Sequence, residues 1–376
     1  MCWSRNAGPW PRAFVMPSHG PTFALAALGL WTLAGCGSCA GPATVTSSSN
    51  QGPRPVPPTL QEPAAHPVRY EVHEWGLVRG NLADHVVLSG PRRVPTAIPI
   101  AKPVLYVHRD GEGPLSIDVE VSLTSGAMVE HWPLVSGASG TSLAWRGVSV
   151  EEGSCAGARY PAATEVPCLG LTGADGCEAM ELASVETDDG DCLGYAGARW
   201  DHLFYRGELG SPPSFPLLVT PLGADRYRIE VTRGVVGQLV RVRGTSASVF
   251  DAPAPGASQE SEIPSGSLGE GADALARALG DAGLTPAEVS AFRRAWDSTL
   301  FAEATASAGE GIVTATPMVA GLLLPRSRDA LLYVLSSEDA DRLATLRFTP
   351  APTRVARAIV VWLDLASSHL AYEPPY

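Results

Sequence analysis

Apolar and polar residues alternate along much of the chain after residue 69, most clearly at 115–123. The five apolar residues of this segment alternate without exception with serine, aspartate or glutamate, which is the period of a strand with one buried and one solvated face. Turn residues follow at 124–126, and 127–132 is predicted to return as the second strand of a hairpin. Similar runs occur at 70–78, 104–108, 203–206, 227–232 and 239–242. Short strands with Gly and Pro turns between them indicate a mainly β protein, arranged as an antiparallel β-sandwich or open barrel.

The apolar period shifts towards 3.6 after an acidic, Pro- and Ser-rich stretch at 251–267. A short helix is predicted at 272–279, where two glycines follow. Thr285 and Glu288 then form a capping box, with Pro286 at the first helical position. One apolar stripe follows at helical spacing: Val289, Phe292, Trp296 and Leu300. We expect the two helices to form a hairpin packed on a sheet. Strand character returns at 312–315, 331–335 and 357–364, with one helical turn at 339–343.

The chain begins with features of an exported lipoprotein. Residues 22–35 form an uncharged apolar run, which is shorter than the roughly 20 residues that span a bilayer and has the length of a signal-peptide core. The run ends in Leu-Ala-Gly before Cys36, a pattern that resembles the lipobox of bacterial lipoproteins. The resemblance implies cleavage before Cys36 and acylation of that cysteine, with palmitate among the acyl groups. The leader is long for a signal peptide, and a start at Met16 would give a more usual length.

Composition divides the chain into four segments. Residues 1–35 are read as the signal peptide, and 36–68 as the lipid anchor and a Pro/Ser-rich linker that lacks the apolar density to form a core. A β-rich domain at 69–250 contains a cysteine-rich insert at about 150–198. The helical hairpin and further strands occupy 266–376, and they could form one module with the preceding domain.

The charge of the chain limits its partners. Its net charge is −12, from 27 basic and 39 acidic residues, and such an acidic surface repels nucleic-acid phosphates. We therefore expect no nucleic-acid partner, and contact with the membrane through the lipid alone. The residue after Cys36 is glycine rather than aspartate, which in a double-membraned bacterium favours the outer membrane. A protein or glycan of the envelope is the kind of partner that this location allows.

Four cysteines lie in the insert: Cys155, Cys168, Cys177 and Cys192. In an exported chain they are expected to form two disulfides, with three connectivities open. Zinc binding is the alternative, but zinc knuckles normally contain a C-x-x-C pair, and none occurs here. Cys36 and Cys39 do form a C-x-x-C, yet Cys36 is the lipid site and no thioredoxin-like unit follows. The fate of Cys39 stays open.

Two short motifs place a carboxylate beside an imidazole and a tryptophan. His73 and Glu74 precede Trp75, and Glu130 and His131 precede Trp132. Neighbours on a strand point to opposite faces, so His73 and Glu74 should share no site unless a bulge intervenes. If His73 and His131 met a further carboxylate, a divalent metal could bind there; otherwise these side chains are structural.

A third polar segment is 200–207, where Arg206 lies among aromatic residues. It is expected to form a buried ion pair with Glu74 or Glu130, or to bind a carboxylate ligand. The polar cluster proposed from sequence is therefore His73, Glu74, Glu130, His131 and Arg206.

Five motifs occur in order along the chain: YEVHEWG at 70–76, KPVLY at 102–106, GAMVEHWP at 126–133, LFYRG at 203–207 and LLYVL at 331–335. The series resembles a family of uncharacterised exported bacterial proteins with an H-E-W-G-T-F signature, here with Leu77 and Val78 in place of Thr and Phe. The resemblance covers residues from about 70 to 365. It implies one module, and it carries no activity.

The sequence contains none of the G-x-S-x-G, H-E-x-x-H, Walker or G-x-G-x-x-G motifs. It assigns no cofactor, no metal and no catalytic residue. We expect a membrane-anchored envelope lipoprotein with a non-catalytic binding or structural role. The alternative is an extracytoplasmic hydrolase, with or without a metal, built around His73, Glu74 and His131.

Overall fold

The computed structural model describes residues 68–82, 98–135, 138, 140–161, 178–210, 214–223, 225–301 and 329–365. The signal peptide, Cys36, Cys39, Cys168, Cys177 and the predicted strand at 312–315 lie outside these residues, as does all but the end of the linker. The described chain belongs to one unit, Ala65–Tyr376. None of the helices in this part of the chain is both long and apolar enough to cross a membrane.

Nine strands form the central sheet, in the order β14-β12-β11-β15-β17-β1-β2-β8-β4. They are β1 (Arg69–Asn81), β2 (Ile98–Asp110), β4 (Ala127–Trp132), β8 (Leu203–Leu209), β11 (Gln238–Arg243), β12 (Ser246–Asp251), β14 (Gly266–Ser267), β15 (Asp329–Val334) and β17 (Arg354–Asp364). β1 and β17 run parallel, and the other strand pairs described for the molecule are antiparallel. The sheet thus joins strands from both sequence segments, 69–250 and 266–376.

Two smaller sheets accompany the central one. The five-stranded sheet has the order β16-β3-β5-β6-β7 and the three-stranded sheet the order β13-β10-β9. The five strands are β3 (Leu115–Leu123), β5 (Ser142–Glu151), β6 (Cys192–Tyr195), β7 (Ala198–Trp200) and β16 (Ala344–Thr349), and the three are β9 (Leu217–Gly223), β10 (Arg226–Val231) and β13 (Ser258–Ser261). In β3 the five alternating apolar residues are all buried, as the sequence predicts.

The helices are α1 (Leu268–Asp281), α2 (Pro286–Leu300), α3 (Ser337–Asp341) and a 3₁₀ helix at Glu178–Val185. α1 and α2 are the predicted hairpin. Ser267 and Thr285 cap them, and each helix has a capping box completed by Glu270 or Glu288. In the predicted stripe of α2, Phe292, Trp296 and Leu300 are buried, while Val289 is partly buried against the core.

The two faces of the central sheet are covered differently, as neighbouring residues of β1 show. Trp75 points to the helices, where its ring meets Phe292 of α2 edge-on at 5.5 Å between centroids. Glu74 points the other way, to Arg357 of β17, which also donates to the Ala344 carbonyl of β16. The fold is therefore an antiparallel β-sandwich, with a helical hairpin on the outer face of its larger sheet.

The predicted hairpin of β3 with 127–132 is wrong. β3 pairs with β5 and β16, whereas β4 pairs with β8 in the other sheet. The turn between them therefore crosses from one sheet to the other, as at the corner of a sandwich. Gly126 makes the crossing possible: its φ is +91°, and a Cβ there would lie 1.7 Å from the Glu208 carbonyl oxygen of β8.

Candidate functional site

The start of helix α2 places a carboxylate inside the protein. Thr285 caps the helix, so Glu288 falls at the third helical position and its Oε2 accepts a hydrogen bond from the Thr285 amide at 2.8 Å. The Glu288 side chain is 0% exposed. Glu270 has the same role in α1 and lies exposed at the surface. Capping alone therefore does not require the burial of Glu288.

Two histidines from adjacent strands meet this carboxylate. His73 lies opposite Tyr106, and His108 lies opposite Glu71, in the antiparallel pair of β1 and β2. Both histidines thus point to the helical face, two residues apart in register. His73 Nδ1 lies 2.9 Å from Glu288 Oε2, and His108 Nε2 lies 2.8 Å from Glu288 Oε1. The two imidazole rings are 4.4 Å apart between centroids.

The protonation states of Glu288 and His108 depend on each other. Burial disfavours ionisation of Glu288, but hydrogen bonds from His108 and His73 outweigh it and lower the pKa of the carboxyl to about 2. Burial likewise disfavours the charge on His108, yet the hydrogen bond and negative charge of Glu288 leave the pKa of that imidazole above its usual value. Glu288 is therefore ionised at neutral pH, and its negative charge favours the protonated form of His108.

The outer nitrogens of the two rings have different surroundings. His108 Nδ1 lies 3.1 Å from the Asp189 carbonyl oxygen, which can only accept, so Nδ1 carries a hydrogen. His73 Nε2 is buried and has no hydrogen-bond partner among the described residues; Glu71 Oε2 is 3.6 Å away. Ligating atoms from His73, His108 and Glu288 all lie within 4.8 Å of one another, a grouping that could hold a metal ion.

Sequence reasoning singled out His73 but missed its partners. Glu288 appears in the sequence as a helix-capping residue, which gives no reason to expect it at a site. His108 ends the strand predicted at 104–108, and neither of its immediate neighbours, Val107 and Arg109, is acidic or aromatic. The pairing of β1 with β2 is the information that was missing, because it places His108 on the face of His73.

The other four residues of the predicted polar cluster lie in three places away from His73. Glu74 faces away from His73, as the alternation of a strand requires, and it lies between Arg357 (2.5 Å) and the Tyr205 hydroxyl (2.6 Å). Burial disfavours the charge of Arg357, but Glu74 raises the pKa of that guanidinium above its usual value. This polar group lies within the sandwich, on the opposite side of the sheet from Glu288.

Glu130 and Arg206 form the second place. Glu130 lies 3.2 Å from Arg206, one of the two partners expected from sequence, and it also accepts a hydrogen bond from the Ala179 amide of the 3₁₀ helix at 2.7 Å. Both side chains are buried. The pair attaches the 3₁₀ helix to the edge of the central sheet.

His131 is the third place. It lies on β4, three strands from β1, a separation of about 14 Å at the usual strand spacing. Its Nε2 accepts a hydrogen bond from the Val135 amide at 3.2 Å, and burial lowers its pKa. A site that combines His73, Glu74 and His131 is therefore not assembled.

A disulfide and a groove lie beside the candidate site. Cys155, after β5, is bonded to Cys192, at the start of β6. This bridge is one of those that the sequence allows. Next to it, a groove of about 750 Å³ runs between the bridged loop, the 3₁₀ helix and the start of α2. Arg294 of α2 lines the groove and donates to the carbonyls of Ser184 and Glu186.

No protein-family model matches the chain, and no curated protein matches it.

Proposed function

We propose that the protein is an exported lipoprotein of the bacterial envelope, anchored through Cys36, and that its β-sandwich serves as a non-catalytic binding or structural module. The observation that carries the proposal is the Cys155–Cys192 disulfide. Disulfides persist in oxidising compartments and are rare in the cytoplasm. The bridge therefore supports the location that the lipobox-like sequence before Cys36 predicts.

The arrangement of the chain supports the same proposal. A Pro/Ser-rich tether precedes the first strand of the folded unit, so a lipid on Cys36 would hold the sandwich at a distance from the bilayer. In a double-membraned cell, Gly37 favours the outer membrane. We also propose that the chain is related to the exported proteins with the H-E-W-G-T-F signature. Such a relationship agrees with this location.

A binding role is favoured over hydrolysis because the predicted catalytic set does not converge. Glu74 points into the sandwich, and His131 lies three strands from His73. The groove beside the disulfide offers a concave surface of the size that small ligands occupy. An envelope protein or a glycan remains the proposed kind of partner.

The anchor can be tested by replacing Cys36 in the full chain, expressed in a bacterium with a lipoprotein pathway. We expect Cys36→Ala to abolish incorporation of a clickable palmitate analogue and to move the protein from the detergent-rich to the aqueous phase, or to leave uncleaved precursor. Cys39→Ala is the matched control, since it removes a thiol three residues away, and it should change neither readout. Equal labelling of the wild type and the Cys36 variant would exclude the proposed anchor.

A further inference from the structure

Three ligand-type side chains converge at the junction of β1, β2 and α2. In a tetrahedral zinc site with bonds of about 2.0–2.1 Å, ligand atoms lie about 3.3 Å apart. A single Glu288 oxygen, Oε1, lies 3.1 Å from His73 Nδ1 and 2.8 Å from His108 Nε2, and one ligand atom from each of the three residues lies within 4.8 Å of the other two. A shift of about half an ångström or less at each oxygen contact, with the two nitrogens drawn to about 3.3 Å from each other by the ion, would give the separation that an ion of this size needs.

The surroundings of the rings favour the same atoms as ligands. His108 donates Nδ1–H to a backbone carbonyl, the contact that commonly fixes the tautomer of a metal-bound histidine and directs the lone pair of Nε2 to the ion. His73 has Glu71 beside its outer nitrogen, at 3.6 Å, so a hydrogen on Nε2 would point to a carboxylate and leave Nδ1 free to ligate. Both inner nitrogens then face Glu288.

We propose that His73, His108 and Glu288 form a binding site for a divalent transition-metal ion, with Zn²⁺ the expected occupant. Two imidazoles and one carboxylate suit zinc rather than Mg²⁺ or Ca²⁺, which prefer oxygen ligands alone. Three protein ligands leave one tetrahedral position for water or a ligand. The ion can enter from the side of His108, whose side chain is 20% exposed.

A comparison of the two capping glutamates distinguishes metal binding by Glu288 from its role in capping the helix. Glu270 and Glu288 both complete capping boxes at the third position of their helices. Only Glu288 is buried, and it is the one that contacts two histidines. Glutamine can replace glutamate in a capping box, so Glu288→Gln keeps the helix start while removing the negative ligand. Glu270→Gln makes the same chemical change away from the site.

The test is calorimetric titration of Zn²⁺ into the full chain, purified in detergent, without a tag and stripped of metal by a chelator. We expect one equivalent to bind the wild type with micromolar or tighter affinity. Loss of a hydrogen-bond partner of a metal ligand already costs about 10–100-fold in metal affinity, so loss of the Glu288 ligand itself should weaken binding at least about 100-fold. Glu270→Gln should bind as the wild type does, and any zinc held by thiols such as Cys39 would be the same in both variants.

A second pair of variants keeps the test decisive if Glu288→Gln fails to fold. His108→Gln removes a ligand at the partly exposed rim of the site, and His131→Gln removes a histidine on β4. The first should lose zinc binding and the second should retain it, with circular dichroism confirming that both are folded. Absence of zinc binding in the wild type, or equal affinity in the folded members of either pair, would overturn the proposal. The result is independent of the anchor on Cys36.

Discussion

The buried ion pair of Glu74 and Arg357 contributes to the contact between the two sheets, and its contribution to the free energy of unfolding can be measured. The two side chains are 0% and 3% exposed and lie 2.5 Å apart. Tyr205 of β8 donates to the same carboxylate, and Arg357 donates onward to the Ala344 carbonyl of β16. We consider Glu74→Gln, which keeps the size of the side chain and an oxygen for Tyr205 but leaves the guanidinium without its buried counter-ion.

Breaking a buried pair by removing one partner usually costs about 3–5 kcal/mol, because the other charge stays desolvated. Arg357 retains a second carboxylate, Asp341, but the Asp341 side chain is 59% exposed and its attraction is screened by solvent. We therefore expect the lower end of that range, a loss of about 3 kcal/mol in the free energy of unfolding for Glu74→Gln.

The assay is urea unfolding of the oxidised protein, followed by tryptophan fluorescence. With a slope of about 3 kcal/mol per molar urea, the midpoint should fall by about 1 M. The double variant Glu74→Met with Arg357→Met should be more stable than the sum of the two single methionine changes predicts, with a coupling of about 2 kcal/mol. A midpoint shift below about 0.3 M for Glu74→Gln, or strict additivity of the methionine variants, would refute the reasoning.

Two further predictions concern the Cys155–Cys192 disulfide and His131. Replacing Cys155 and Cys192 together by serine should lower the free energy of unfolding by about 4 kcal/mol, because the bridge closes a loop of 37 residues in the unfolded chain; a loss below about 1 kcal/mol in urea unfolding would contradict this. His131 should make the protein sensitive to acid. Burial lowers its pKa in the fold, so the stability is complete above the unfolded value of about 6.5 and declines as the pH falls through it towards the folded value. Thermal melts from pH 8 to 5 should show a smaller decline for His131→Gln than for the wild type, and equal declines would exclude His131 as the cause.

Local signals in the sequence predict some elements of this fold, whereas strands such as β5, β12 and β16 are not predicted. The alternation at 115–123 identifies β3, because one face of a single strand is buried and the other is solvated. Thr285, Pro286 and the stripe through Trp296 identify α2, since capping and the helical period are properties of neighbouring residues. Both elements can therefore be predicted without knowing what they pack against.

Pairing between elements is what the sequence does not reveal. β4 follows β3 after a short turn, yet it joins the other sheet because Gly126 packs against β8, which lies some 80 residues further along the chain. The candidate metal site fails to appear for the same reason. It needs the register of β1 with β2 and the docking of α2, and neither His108 nor Glu288 carries a local mark of that arrangement.

The parallel pairing of β1 with β17 also sets the order in which the protein can be assembled. β1 lies in the interior of the nine-stranded sheet, and the residues that pair across it, such as Glu74 and Arg357, are 283 positions apart. Synthesis delivers the amino end first, so the central sheet cannot close until β17 has been made. Before then β1 lacks one of its two neighbouring strands, and an unpaired strand edge makes a nascent chain prone to aggregation.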